Sequence, residues 1–500
     1  MPLFLILDQG GQSVRALVVD HQGNVVTRAQ HAIATHYGSK GHIEQNADAI
    51  ARDIKQCALR AVQKLSIIQR QQLRSAGLVT QRASLLAVNA NSQQVLTPVM
   101  SWQDIRGGGN LRKVAMTPTE LRSITGLRLS PHYGVAKMRW SLKHNRAVNK
   151  AAEADELMFT PIASFLTQQL TGGKQYQTDA VNASRTLLMD HINCQWSAEL
   201  LEKFAIKQQW LPTICANDEY YGEIQLGNLS LPLHYVNGDQ ATVLFSRGKP
   251  SPTTLSINVG TGAFISRVTD GDDTALLRSL VHHGKEQFRV LEGTVNGAAT
   301  AIQQVISEVT TKQGSQSDLL AQVNGQINNI PLFLNGIGGL GAPFWLPGFN
   351  SEFQHPESLD GVTPVAKLTA VIESVAFLLQ IIIQRLSAHP PTPTKIEICG
   401  GLSRLDYLCQ TLANISGMEV FREQEVEGSA LGCAWWLAGS PADWRNTEVT
   451  SQFVPQHAPA LSQRFSAWQE AMRQRLPADK AAMMDSQPQT LSPLDACSSS

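Results

Sequence analysis

The sequence predicts an α/β protein made of two related halves, and three observations carry that reading. A strand-like run, a glycine loop and a second strand-like run open the chain at Leu3 to Val19, and the same arrangement returns at Thr254 to Val268. Between them, Gly248-Lys249-Pro250-Ser251-Pro252-Thr253-Thr254 reads as a domain connector. Just before it, the apolar β-prone run Leu231 to Val236 passes through Asn237-Gly238-Asp239-Gln240 into the helix-like run Ala241 to Phe245. Open α/β sheets gather ligands at such strand-to-helix switches.

The first strand is Leu3 to Leu7, followed by the loop Asp8-Gln9-Gly10-Gly11-Gln12-Ser13 and the strand Val14 to Val19. His21-Gln22-Gly23-Asn24 then turns the chain into Val25 to Ile33, which completes an antiparallel array. In the second half, Leu255-Ser256-Ile257-Asn258 leads through Gly260-Thr261-Gly262 into Ala263-Phe264-Ile265-Ser266. The expected domains are residues 1–247 and 248–484, with a disordered tail at 485–500 that is rich in Pro, Ser and Gln and has little to bury.

Composition narrows the function classes. Lysine plus arginine equals aspartate plus glutamate, 41 against 41 over 500 residues, so neither nucleic acid nor an acidic membrane surface is an expected partner. The start, Met1-Pro2-Leu3-Phe4-Leu5-Ile6-Leu7-Asp8, is too short and too uncharged in front for a signal peptide. No apolar stretch is expected to approach the ~20 residues of a membrane span. The seven cysteines are scattered, without metal-binding spacing, which fits a reducing cytoplasm.

A glycine loop after a strand can present several backbone N–H groups to an anion. One such loop is more often an ordinary tight hairpin, because glycine is the default turn residue. Its repetition in the second half points to a polyphosphate. The residue types agree: Asp8 can hold Mg²⁺ through water, Arg15 can offset phosphate charge, and Thr261 can donate a hydroxyl. Asp239, at a helix start, is by itself more often an N-cap than a catalytic group. As a catalytic group it would be a general base, with the helix N-terminus favouring its ionised form.

Gly336-Ile337-Gly338-Gly339-Leu340-Gly341 matches G-x-G-x-x-G but runs into Ala342-Pro343-Phe344-Trp345-Leu346-Pro347, where two prolines stand in place of the required helix. The dinucleotide-binding reading is therefore rejected. The P-loop pattern and the protein-kinase catalytic signatures are also absent.

Nine short motifs remain: Asp8-Gln9-Gly10, Thr80-Gln81-Arg82, Ser101-Trp102-Gln103-Asp104, Lys137-Met138-Arg139-Trp140, Asn182-Ala183-Ser184-Arg185-Thr186, Gly238-Asp239-Gln240, Gly260-Thr261-Gly262, Gly339-Leu340-Gly341-Ala342-Pro343 and Gly400-Gly401. Their order and spacing over roughly residues 3 to 440 resemble the FGGY carbohydrate kinases, most closely the glycerol kinase branch. The resemblance implies two actin-like, ribonuclease-H-like ATPase domains with a catalytic cleft between them. It implies ATP and Mg²⁺ as cofactors and a small polyol or sugar as substrate. Asp239 would be the base, and Arg82, Trp102, His132, Tyr133, Gln240 and Phe264 would form the polyol pocket. Gly10, Gly11, Gln12, Ser13, Arg15, Gly260, Thr261, Gly262, Gln303, Gly400 and Gly401 would contact ATP, with Asp8 and Asp239 beside the metal. Lys137 to Trp140 reads as mostly structural, since helical i,i+3 pairs commonly just pack. Asn182 to Thr186 fits a turn with a local ion pair equally well.

The sequence departs from that branch inside the pocket. Ala83 stands where the glycerol kinases have a hydrogen-bonding glutamate, and His132 where they have a tyrosine, with Tyr133 next to it. Gly11 and Gln12 replace a pair of threonines, Ala299 replaces a glycine of the ADP site, and Leu405 differs near the adenine. A pocket widened at Ala83 suits a larger polyol or a ketose. Two rival readings follow: a sugar- or nucleotide-responsive regulator that kept the fold without turnover, and an actin-like ATPase serving a protein client. Oligomeric state, a homo-oligomer included, is open.

Overall fold

The structure is a computed structural model that describes residues 1–111, 114–309, 316–323, 329–354, 358–423, 427–444 and 449–484. The tail expected at 485–500 lies outside the described residues. Two compact units are present. Unit 1 comprises the described residues of Met1–Pro250, Ser279–Arg289 and Val426–Asn446, and unit 2 those of Ser251–Arg278, Val290–Glu425 and Thr447–Ser500. The chain first passes from one to the other at Pro250 and Ser251, inside the proline-rich connector. Two later segments group with unit 1, so no continuous cut of the chain reproduces the division.

Unit 1 is built on a mixed sheet. Its strands are β1 (Leu3–Gln9), β2 (Ser13–Asp20), β3 (Val25–Ala32), β4 (Leu73–Thr80), β5 (Glu223–Leu226) and β6 (Leu229–Gly238), in the order β5-β6-β4-β1-β2-β3. β1 pairs antiparallel with β2 and parallel with β4, which pairs parallel with β6. Every residue of β1 is buried, as expected of a central strand covered on both faces. Helix α1 (Ala47–Gln63), capped by Asn46, buries Ile50, Ile54, Cys57, Ala58 and Ala61 at helical spacing. These join Leu3, Leu5, Leu7, Val14, Ala16 and Val18 in one core.

The helix Gly428–Leu437 also belongs to unit 1 and approaches its neighbours at backbone distance. A Cβ on Gly77 of β4 would lie 2.3 Å from Cys433 Sγ, and one on Gly432 would lie 1.9 Å from the Thr242 carbonyl oxygen. Thr242 ends α2 (Asp239–Thr242), so this helix seats the segment that carries Asp239. A separate five-stranded sheet, in the order Thr35–Tyr37, Ile43–Gln45, Val99–Met100, Leu85–Asn89 and Leu157–Pro161, frames the loops that follow β4 and Met100.

Unit 2 repeats the pattern. The second sheet runs β9-β10-β8-β7-β11-β12-β13, from β7 (Thr254–Val259), β8 (Ala263–Val268), β9 (Leu277–His283), β10 (Gln287–Val295), β11 (Lys395–Cys399), β12 (Glu419–Glu423) and β13 (Val449–Phe453), with Ser279–His283 of β9 and Gln287–Arg289 of β10 grouped in unit 1 and the rest in unit 2. β7 pairs antiparallel with β8 and parallel with β11, as β1 does with β2 and β4. The two halves read from the sequence are thus two copies of one sheet topology. Gly336 to Gly341 forms a turn, followed by a bridge between Leu340 and Leu346, and opens no helix.

Helix α3 (Ala299–Val309) follows β10, and α4 (Pro364–Ser387) forms the core of unit 2. α4 corrects the expectation that no apolar stretch approaches a membrane span. It is long and apolar enough to cross one by length and composition, yet 94% of that apolar window is buried inside the protein. A helix apolar all round is buried either in lipid or in a large core, and here sheet and helices surround it.

Gly432→Ala should lower the stability of unit 1 by about 1–3 kcal/mol, because overpacking forces backbone shifts. Urea unfolding followed by tryptophan fluorescence checks it: the midpoint falls at an unchanged denaturant slope.

Candidate functional site

Register brings three loops of unit 1 to one level. Gln9 of β1 and Gly238 of β6 both pair with Thr80 of β4, so the segments after these parallel strands leave the sheet side by side. Asp239 begins α2 immediately after β6, and the N-cap is Gly238. Asp239 therefore is not the cap; its Oδ1 accepts from the adjacent Gln240 N–H, at 2.6 Å. A Cβ on Gly238 would lie 2.5 Å from Arg82 Cγ, so the arginine stem crosses the strand end.

Asp239 is half-buried, and its carboxyl is pushed up to about 6. Burial is the largest cause, with Arg82 pulling down and Asp8 pushing up; the Gln240 N–H and Arg15 lower it further. The helix N-terminus, expected to favour the ionised form, is the weaker influence here. α2 has only four residues, too short for much of a dipole, and desolvation outweighs it. At pH 7 the group is still mostly ionised, with a proton affinity matched to general-base work.

Asp8 is 1% exposed, and its Oδ2 pairs with Arg15 and accepts from Ser429 Oγ at 2.7 Å. Arg15 Nη1 donates to Glu427 at 2.7 Å, so its guanidinium is held between two carboxylates. The loop itself is tight: Gly10 N–H donates to Ser13 O at 2.9 Å, and Ile33 N–H to Gln12 O at 2.8 Å. Gln12 is exposed, while Gly10, Gly11 and Ser13 are half-buried. Asp8 Oδ1 is buried without a partner, a carboxylate oxygen left for a cation or its water. Among the described residues no cluster of three or more His, Cys, Asp or Glu could hold a metal. One or two carboxylates, with water and phosphate completing the shell, is the arrangement Mg²⁺ prefers, and Asp8 with Asp239 fits it.

Trp102 and His132, two of the residues expected to line the acceptor pocket, lie with Ala83 around a buried lysine. Trp102 is 41% exposed; its backbone N–H donates to Ser84 Oγ at 3.0 Å, and its carbonyl lies 3.1 Å from His132 Nδ1. Lys137 is fully buried and donates to the carbonyls of Ala83 (2.6 Å) and His132 (2.9 Å). It thereby ties together the two segments in which the sequence departs from the glycerol kinases. Ala83 has a left-handed backbone, φ 61°, a conformation such an external tie helps to hold. Tyr133 is the N-cap residue of the helix Gly134–His144, whose first N–H groups donate to the Arg185 and Thr186 carbonyls. Asn182 to Ser184 end the short helix Ala180–Ser184, which Asp179 caps, and the two residues after it dock the lysine's helix. Gln240 is exposed.

Sequence reasoning had read Lys137 as packing. The available signal was a lone lysine among Val135, Ala136 and Met138 on a buried face. Ser429 and Glu427 were missed altogether, and no local pattern marks them.

In unit 2 the Gly260–Gly262 loop joins β7 to β8. Ala299 N–H donates to Gly260 O, and Ala298 N–H to Thr261 O, both at 3.0 Å, so the start of α3 sits on this loop. Gln303 is exposed one turn further along α3. Gly400, with φ 95°, packs so closely that a Cβ would lie 2.5 Å from Val259 O, which brings Gly400-Gly401 beside the same loop. Thr261 is exposed there, and Phe264 is 46% exposed on β8. The structure thus gathers the candidate nucleotide residues of unit 2 at the ends of the parallel strands β7 and β11.

Residues 3–231 match the N-terminal domain, and residues 255–439 the C-terminal domain, of the FGGY family of carbohydrate kinases. A glycerol kinase from Rhodospirillum rubrum is 29% identical over 497 residues, spanning 95% of this chain and 99% of that one. Among solved structures, a Plasmodium falciparum glycerol kinase with ADP superposes with TM-score 0.83 at 18% identity, covering 95% of this chain and 99% of that chain. The xylulose kinase from Rhodospirillum rubrum superposes with TM-score 0.82 at 17% identity, covering 97% and 100%.

Lys137 yields a pH prediction. Burial pulls its ammonium down to about 7, against some upward pull from Asp104. Between pH 7 and its ordinary value of 10.5 the folded state binds fewer protons than the unfolded one, so this residue makes stability rise with pH across that window. Lys137→Met should remove that rise and, by leaving two carbonyls without a donor, cost about 1–3 kcal/mol per orphaned group. Urea titrations of both proteins at pH 7 and 9 measure the difference.

Proposed function

Because the chain belongs to the FGGY family of carbohydrate kinases, phosphotransferases with an alcohol group as acceptor, we propose that it transfers the γ-phosphate of ATP to a hydroxyl of a small polyol or sugar, with Asp239 as general base. The observation that carries this reading is the carboxylate at the end of β6, held at about 6 by burial and flanked by Arg82.

In this reading Asp239 accepts the proton of the acceptor hydroxyl as that oxygen bonds to the γ-phosphorus. The bond from phosphorus to the bridging oxygen breaks, ADP leaves with the electron pair, and the proton passes from Asp239 to solvent. Arg82 orients the hydroxyls, and Trp102 covers the carbon chain. The exposed glycine loops of unit 2, Gly260 to Gly262 and Gly400-Gly401, present backbone N–H groups to the nucleotide, with Gln303 beside them. Mg²⁺, held through Asp8 and Asp239, would neutralise charge developing on the phosphates.

Ala83 offers no side-chain acceptor where the glycerol kinases have a carboxylate, and losing a charged hydrogen-bond partner costs about 1.5–3 kcal/mol. The acceptor we favour is therefore glycerol-like in chemistry and larger in size. A cytoplasmic setting is consistent with the free thiols of Cys57, Cys194, Cys215, Cys399, Cys409 and Cys433. A second reading, a regulator without turnover, draws on Arg15, which two carboxylates engage where a phosphate would need it.

A coupled ADP-release assay over glycerol, tetritols, pentitols, pentuloses and sugar acids at fixed MgATP separates the two. Turnover with at least one acceptor, reduced about 10²- to 10⁴-fold by Asp239→Asn, is expected. Acceptor binding by calorimetry with no turnover across the panel would favour the regulator.

A further inference from the structure

Beside Gly11 the first phosphate loop is open where a side chain would stand, with an acceptor and a donor at the rim of that space. A Cβ built on Gly11 would lie 3.6 Å from Gln81 Oε1 and 3.6 Å from Trp102 Nε1, with nothing nearer. Gln81 is 2% exposed, and its Oε1 is buried without a partner. The orientation of that amide is dictated by its neighbours. Gln45 Nε2 donates to Gly11 O at 2.8 Å and to Thr35 Oγ1 at 3.0 Å, so Gln45 turns its carbonyl oxygen to Gln81. Gln81 must then give its Nε2, at 2.8 Å, and its own oxygen is left over. Reversing either amide would set like groups against each other.

We propose that Gly11, Gln81 and Trp102 form a subsite that reads one hydroxyl of the acceptor and selects four- and five-carbon polyols or ketoses over glycerol. This rests on the kinase reading above. A hydroxyl donates to Gln81 Oε1 while accepting from Trp102 Nε1–H, which satisfies both. A phosphate oxygen cannot donate, so Oε1 repels it, and an ammonium group cannot accept from the indole. The subsite adjoins the acceptor side of the site: Arg82 follows Gln81, and its stem lies against Gly238, next to Asp239. In the kinase reading, a three-carbon acceptor whose hydroxyls face Asp239 and Arg82 would leave this position empty, and a longer one would reach it. A side chain at residue 11 would fill the space, so Gly11 is where selectivity resides. Ala83 removes the usual grip on a short acceptor, and the open position at Gly11 supplies a grip on a longer one.

The test is kcat/KM for glycerol, erythritol, ribitol, xylitol, D-ribulose and D-xylulose at saturating MgATP. It uses the full chain, Gly11→Ala and Trp102→Phe. Gly11→Ala is compatible with folding, since its Cβ meets only ordinary contacts and its backbone is not left-handed. Trp102→Phe keeps the aromatic cover and removes the N–H. The unsubstituted protein should prefer its best four- or five-carbon acceptor over glycerol by at least about tenfold, and both variants should cut that ratio by about tenfold. A preference for glycerol overturns the subsite. So does an equal loss for short and long acceptors, or a rise confined to the KM for MgATP. Turnover with no acceptor at all overturns the kinase reading together with it, and so differs from a kinase that merely lacks the preference.

Discussion

The arrangement of the site depends on one packing constraint: the helix Gly428–Leu437 packs within unit 1 at distances that only glycine permits. Gly77 meets the Cys433 thiol and Gly432 meets the Thr242 carbonyl, so this helix touches the sheet through one small side chain and the Asp239 helix backbone to backbone. Interiors this dense do not deform gradually, so a methyl at Gly432 moves a backbone and one at Gly77 collides with the Cys433 thiol. The same helix places Ser429 on Asp8, a hydrogen bond between residues 421 positions apart in the sequence. The first strand and one of the last helices are thereby parts of one site.

On that frame the electrostatics are a balance of few charges. Burial raises Asp239; Arg82 and Arg15 lower it, and Asp8 raises it again. Arg15 is itself shared between Asp8 and Glu427, which limits what it can give to any third group. A carboxylate in water would be too weak a base for a hydroxyl proton at neutral pH. One that is desolvated and only partly compensated is better matched. Lys137 has a different role: it touches no candidate reacting group and instead fixes Ala83 and His132, whose side chains differ from the related pocket.

Much of this was legible in the sequence. The two hairpins with glycine loops appear as β1–β2 and β7–β8, because alternating and continuous apolar runs broken by glycine specify such hairpins locally. Asp239 was legible as the residue at a strand-to-helix switch, and the dinucleotide motif could be dismissed on its prolines. What stayed hidden was non-local. Ser429 and Glu427 act across hundreds of residues, and the leftover oxygen of Gln81 follows only from the amide chain through Gln45. The direction of the Asp239 shift was misjudged because the length of its helix and the depth of its surroundings are properties of the folded chain. α4 escaped notice as an apolar span because its few polar positions, such as Glu373 and Gln380, interrupt the run to the eye while remaining buried.

The most direct test of this account is the pH dependence of kcat/KM for the best acceptor at saturating MgATP. As pH falls, Asp239 takes up a proton and can no longer accept one, so activity should fall tenfold per pH unit below an apparent pKa of about 6. That limb should be absent from the residual activity of Asp239→Asn. An acid limb at about 4, the ordinary range for an exposed aspartate, or a limb at 6 that survives Asp239→Asn, would contradict the assignment of a half-buried, partly compensated base at the end of β6.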